Sequence, residues 1–348
     1  MKLEDLVLLS QDSLPLALPN TFLCGPRLRR LHLTRIRMPK LLQLLHSSKD
    51  LEDLQLHEAL DPWCFSLEEL TDALSGLAQL QSISLHFSST INHVPPPSPP
   101  HRRVVLPVLT NLKFRGSAKY LERLILRMDT PRLEDIQVTV SEILISDLSG
   151  LCEFVKRIEI QKSYHQALIL SSDCSISISL TQPGASTCFK FQLLSKLYSV
   201  QLFTMTYILP HISASLLNVK DLRISATQSS SQNSLYNERW LELLNLFPGV
   251  KWLHLDVNYS KNIVRVLQDL SWQPKTTLLP ALYKLYLPHP GSRHTPLSEA
   301  LASFMTSRWH AGYPIGVEYE CLCHISELHG IGTSLCTILL HYVLTFMK

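Results

Sequence analysis

The chain has 348 residues, of which 45% are apolar and 18% charged, and its formal net charge is +3. That composition excludes a disordered or collagen-like chain, and the charge is too small to imply a nucleic-acid partner by itself. Length alone allows two or three globular domains, so the organisation has to come from the pattern of apolar residues.

One phrase opens the chain and keeps returning: apolar, two variable residues, apolar, one variable residue, apolar. It begins as Leu3-Leu6-Leu8, Leu28-Leu31-Leu33 and Leu51-Leu54-Leu56. Each phrase alternates like a strand, with its closely spaced apolar pair on one face. A short helical pattern over residues 38–46 separates the second phrase from the third. A better one opens at Ser66, where a hydroxyl cap and Glu69 three residues on precede the stripe Leu67, Leu70, Leu74 and Leu77.

The phrase Leu80-Ile83-Leu85 follows, and then residues 88–107 interrupt the rhythm with the run PPPSPP at 95–100. Such a run forms neither a helix nor a central strand and predicts an extended surface insertion. Leu109-Leu112-Phe114 leads into a helix over 118–126, and Leu133-Ile136-Val138 and Val155-Ile158-Ile160 come next. Residues 161–197 form an irregular, strand-rich repeat. Residues 167–170 and 176–180 read as strands there, with no helix between them.

The last phrases are Leu197-Val200-Leu202, Val219-Leu222-Ile224, Val250-Leu253-Leu255 and Leu282-Leu285-Leu287, with helical patterns over 238–247 and 262–270. Residues 321–348 are an atypical apolar tail. Its apolar stretch, 331–347, spans 17 residues and contains His341. A membrane span needs about 20 apolar residues, so a membrane partner is not expected.

Eleven copies, mostly 22 to 32 residues apart, are the signature of a leucine-rich-repeat solenoid. The expected fold is α/β, with a curved parallel sheet on the concave face and helices on the convex face, over residues 1–320. Six of the eleven repeats carry Ser88, Ser117, Ser141, Ser163, Thr227 or Asn258 where such repeats usually place asparagine. Those side chains can satisfy backbone groups at the bend.

The eight cysteines include no Cys-x-x-Cys pair, and the opening Met1-Lys2-Leu3-Glu4-Asp5 has no secretory character. They read as reduced, buried thiols of a cytoplasmic or nuclear protein. Cys321, Cys323 and His324 form a cluster, but a closed zinc site needs about four ligands, so no metal is assigned. No nucleophile motif, phosphate-cradling glycine loop or paired-carboxylate arrangement is present, so neither an enzyme nor a cofactor is expected. His289 and His294 flank a Pro290-Gly291 turn and read as surface residues.

Arg27, Arg29, Arg30, Arg35 and Arg37 cluster without interleaved aromatics, which disfavours nucleic acid. Residues 97–102 (PSPPHR) match a short proline-rich ligand pattern, and the simpler reading is an insertion. The functional surface expected of a solenoid is its concave ladder. The middle position of each phrase reads Val7, His32, Gln55, Ser84, Lys113, Gln137, Glu159, Gln201, Arg223, His254 and Tyr286. The position before it includes Asp53, Asp135, Arg157, Asp221, Trp252 and Lys284. The last three repeats thus bring Arg223, Trp252, His254, Lys284 and Tyr286 to one patch, rich in the residue types that dominate interfaces. The alternative is that a loop or the C-terminal module covers Trp252.

Residues 51–56 (LEDLQL) and 279–287 (LPALYKLYL) resemble the F-box/leucine-rich-repeat proteins of mushroom-forming fungi. The closing segment resembles that family's terminal module more specifically: Leu297-Ser298-Glu299-Ala300-Leu301, Phe304-Met305, Ser307-Arg308, Gly312, Pro314-Ile315 and Val317-Glu318-Tyr319. The resemblance covers about residues 1–320. It implies a protein-interaction module, the substrate-recognition part of an SCF-type ubiquitin-ligase receptor. No F-box-like leucine-proline opening lies between Met1 and Leu28, so a Skp-type adaptor is not an expected partner. The alternatives are a shortened family fragment without a ligase partner, or a general scaffold.

Overall fold

The computed structural model describes residues 3–10, 16–17, 27–38, 40–58, 67–87, 103–141, 149–158, 163–184, 187–226, 237–256, 263–264, 266–267, 278–288 and 295–320. They fall into two compact units: residues 1–162 with 174–212, and residues 163–173 with 213–348. The main strands, in chain order, are β1 (Asp5–Leu9), β2 (Arg30–Thr34), β3 (Asp53–His57), β4 (Ser82–His86), β5 (Asn111–Ser117), β6 (Asp135–Ser141), β7 (Gln166–Ser172), β8 (Ser175–Thr181), β9 (Thr187–Leu194), β10 (Asp221–Ala226), β11 (Trp252–Leu255), β12 (Lys284–Pro288) and β13 (Gly316–Glu320). The main helices are α1 (Leu41–Ser47), α2 (Leu67–Ser75), α3 (Ala118–Leu126), α4 (Ser149–Ile158), α5 (Tyr198–Ile208), α6 (Asn237–Asn245) and α7 (Thr295–His310).

In the first unit the sheet runs β1-β2-β3-β4-β5-β6-β9-β8, parallel throughout except that β8 pairs antiparallel with β9. The register is in step, so Leu31, Leu54, Ile83, Leu112, Ile136 and Phe189 share one row. That row and the one two residues on are buried. The apolar stripes of the helices cover them, among these Leu70 and Leu74 of α2 and Leu121 and Leu124 of α3. The second unit repeats the plan with a parallel sheet, β7-β10-β11-β12-β13, and the buried row Ala167, Leu222, Leu253 and Leu285.

The phrase divides between two conformations. Its first apolar residue sits in a turn before the strand: Leu51, Leu80, Leu109, Leu133, Val219, Val250 and Leu282 each donate their amide to the carbonyl three residues back. All seven side chains are buried. At each strand entrance one carbonyl then accepts two amides from the next phrase. Arg29, Glu52, Gln81 and Thr110 do this in the first unit, and Lys220 and Lys251 in the second. The repeat in sequence is therefore also a repeat in backbone hydrogen bonding.

Two phrases expected to form strands do not. Val155 and Ile158 belong to α4, and Val200 and Leu202 belong to α5. The reason is that the first half of the phrase, apolar residues three apart, also fits a helix. Leu151, Phe154, Val155 and Ile158 carry the full helical spacing, as do Leu202, Met205 and Leu209. Leu197, the expected turn residue of the second phrase, is 63% exposed. Within 161–197 the strands at β7 and β8 match the expected ones. A third, β9, was not read from the sequence, although Phe189, Phe191 and Leu193 alternate inward.

Helix α3 spans the 118–126 read from sequence, and Ser117 caps it by accepting the amide of Tyr120 at 3.2 Å. Glu122 in turn caps α4, accepting the Gly150 amide at 2.7 Å and the Ser149 hydroxyl at 3.1 Å. In the second unit, Arg308 of α7 is buried and donates to the carbonyls of Leu278 at 3.3 Å and Leu282 at 3.2 Å. Its guanidinium carbon lies 5.4 Å from the Tyr313 ring centre. Ser66, residues 88–102, His289, His294 and residues 321–348, with Cys321, Cys323 and His324, lie outside the described residues. Among the described residues no helix is long and apolar enough to cross a membrane.

Candidate protein-binding face

Parallel pairing with a fixed register decides which side chains become neighbours. In the second unit it aligns Arg223 of β10, His254 of β11, Tyr286 of β12 and Glu318 of β13 in one row. Asp221, Trp252 and Lys284 form the adjoining row. These positions alternate with the buried leucines, so they lie on the opposite face of the sheet. The structure thus brings together all five residues expected from sequence.

The patch is fixed by its own contacts. The His254 and Tyr286 rings stack with centroids 4.1 Å apart and planes 2° apart. Lys284 donates from Nζ to Glu318 Oε1 at 2.6 Å and lies 5.5 Å from the Tyr286 ring centre. That hydrogen bond raises the ammonium pKa above its ordinary value. Asp221 Oδ1 stands 3.5 Å from Arg223 Nε and 3.4 Å from His254 Nε2. These are electrostatic contacts, since neither has hydrogen-bond alignment. Ser225 donates to Asp256 at 2.7 Å on the same strand pair.

Trp252 is 38% exposed, so its ring is available on this face. Asp221 and Glu318 hold the basic side chains in place. The sequence placed Asp221 in the ladder but gave it no partner. Glu318 lay in the closing motif and was not connected to this face, because the pairing of β13 with β12 is a tertiary fact.

Elsewhere the expected ladder is only partly realised. In the first unit Val7 and Lys113 are exposed, and His32, Gln55, Ser84 and Gln137 are half-buried on the outward rows. Gln201 is fully buried in α5 and Arg157 belongs to α4, so neither joins a ladder. Glu159 lies outside the described residues. Cys152 is buried, and burial with Glu122 nearby pushes its thiol up to about 12. Cys174, expected to be buried, is exposed, because it sits in the tight turn between β7 and β8.

Among the described residues no group of three His, Cys, Asp or Glu side chains could hold a metal ion. The face offers aromatic surface, a guanidinium and oriented charges, which suit binding. No protein-family model matches the chain, and no curated protein matches it.

Proposed function

We propose that this chain is a leucine-rich-repeat solenoid acting as a protein-interaction module, with a partner segment docking on Arg223, Trp252, His254, Lys284 and Tyr286. The observation that carries this reading is the exposed Trp252 beside the stacked His254–Tyr286 pair. Aromatic anchors that are already ordered lose little conformational entropy on binding. The internal ion pairs supply that order before any partner arrives.

The finer role, substrate recognition for an F-box-type ubiquitin ligase, rests on the resemblance of residues 51–56, 279–287 and 297–319 to that family. A general scaffold without a ligase partner is the second reading. The scattered cysteines favour a cytoplasmic or nuclear setting.

The test is site-specific crosslinking. A photoreactive amino acid replaces Trp252, and a second chain carries it at the exposed Lys119 of α3. Proteins captured from position 252 alone are then remade and titrated against the unmodified chain. Direct binding that is lost in Trp252→Ala supports the reading, and equal capture from both positions refutes it. A ligase role further requires that the remade partner be ubiquitinated in a manner dependent on this chain.

A further inference from the structure

The outward face of the first unit carries two basic side chains, Lys113 and Arg115, that make no ion pair among the described residues, although Arg115 is near enough to Glu58 to help lower that carboxyl's pKa. Its register places His57, His86, Arg115 and Thr139 in one row, and Gln55, Ser84, Lys113 and Gln137 in the next. Most of these side chains line an open depression of about 190 Å3, floored by Leu85 and Phe114.

The carboxylates of this face are already engaged. Asp53 Oδ2 takes His32 at 2.7 Å and Gln55 at 3.1 Å. Asp135 Oδ2 accepts from Gln137 at 3.2 Å and Asn111 at 3.4 Å. Glu58 is held by Arg35 Nε at 2.6 Å, both residues having positive φ at the ends of their strands. Lys113 and Arg115 are exposed, and among the described residues neither makes an ion pair. His57 is tied to Ser84 at 2.9 Å. Burial, together with nearby basic groups, lowers the pKa of both His57 and His86. The positive charge of the depression therefore resides in two side chains of known spacing.

We propose that this depression binds an extended acidic segment of a partner protein, with carboxylates at alternating positions seated on Lys113 and Arg115. Those two residues are two apart on β5, roughly 6.8 Å along the strand. An extended ligand repeats its same-face side chains at that same interval. The Arg115 fork takes one carboxylate in a bidentate pair and Lys113 takes its neighbour as a point charge. Ser84, Gln137 and Thr139 of the lining supply hydrogen-bonding groups beside the ligand backbone. Phe114, the only aromatic ring lining the depression among the described residues besides the imidazoles, is 2% exposed and offers no stacking platform for a base. This site does not depend on the face of the second unit.

Two fluorescein-labelled peptides of identical composition test the proposal. One alternates glutamate with threonine, and the other has the same glutamates in a block. Anisotropy titration of the full chain should show the alternating peptide binding about tenfold more tightly. K113Q/R115Q should remove at least that difference while K119Q, at an exposed lysine of α3, leaves it intact, with thermal melts confirming that both variants fold. Equal binding of the two peptides would overturn the proposal, as would binding unchanged in K113Q/R115Q. Preference for a phosphothreonine peptide without carboxylates, for single-stranded RNA or for anionic lipid vesicles would also overturn it.

Discussion

The carbonyl oxygen of Leu217 stands 2.1 Å from the place a Cβ on Gly249 would occupy. Glycine is required there by the close approach of two turns. Gly249→Ala forces those turns apart in backbone, which cannot yield as a flexible side chain can. The expected cost is about 3 kcal/mol, the upper end for overpacking. Urea denaturation should show the midpoint falling at an unchanged slope.

Leu54 and Leu112 occupy one buried row of the first unit and have no exposed surface. Truncating either to alanine leaves a cavity under the helices. Each change should cost about 2–5 kcal/mol in chemical denaturation. By contrast, Val7→Ala should change stability by less than about 0.5 kcal/mol, because its side chain is outward and 52% exposed.

Arg308 joins α7 to the turn ahead of β12 through two carbonyls. Burial lowers its pKa, yet it stays charged at any ordinary pH. Arg308→Met keeps the apolar stem and leaves the carbonyls of Leu278 and Leu282 without their donor. A loss of about 1.5–3 kcal/mol is expected. Hydrogen exchange should show faster exchange across 278–288 and 295–310.

Trp252→Ala and Tyr286→Ala should each weaken a crosslink-identified partner by about 2 kcal/mol, roughly thirtyfold. Neither should lower the melting temperature appreciably, because both side chains lie outside the core. Isothermal titration with the remade partner is the measurement. Affinity that is unchanged in both variants would move the interface away from β11 and β12.

His57 and His86 have folded-state pKa values below the ordinary 6.5. For His57 the causes are burial, then His32 and Lys113; for His86, burial, then Arg115, His57 and Arg35, with Glu58 opposing in both. The unfolded chain therefore takes up protons first as pH falls. Their contribution to stability is complete above the unfolded value and is lost as pH drops through the folded values. Melting temperature should decline as pH falls below the ordinary histidine value of 6.5, and His57→Asn with His86→Asn should flatten that decline.

Most strands were legible in the sequence because a period of two and a buried leucine pair leave few alternatives. The failures at Val155 and Val200 have a common cause. Three-residue spacing is shared by the turn-to-strand phrase and by a helix, and only the wider pattern around Leu151 and Met205 separates them. The third strand of the irregular region escaped because its buried residues are phenylalanines outside the leucine phrase. Trp252 and Tyr286 were legible as outward residues from alternation alone.

Within the phrases that do form strands, the sequence by itself determined which side chains face the core and which face outward, since that follows from local geometry within each strand; at Arg157 and Gln201, which lie in helices, it did not. Only the tertiary structure decided which outward residues become partners. Asp221 reaches His254, Lys284 reaches Glu318, and among the described residues Lys113 and Arg115 make no ion pair, because of the register between strands some thirty residues apart. Register is fixed by the packing of the opposite, buried rows. The charge pattern of each outward face is therefore set by contacts on the buried side of the sheet.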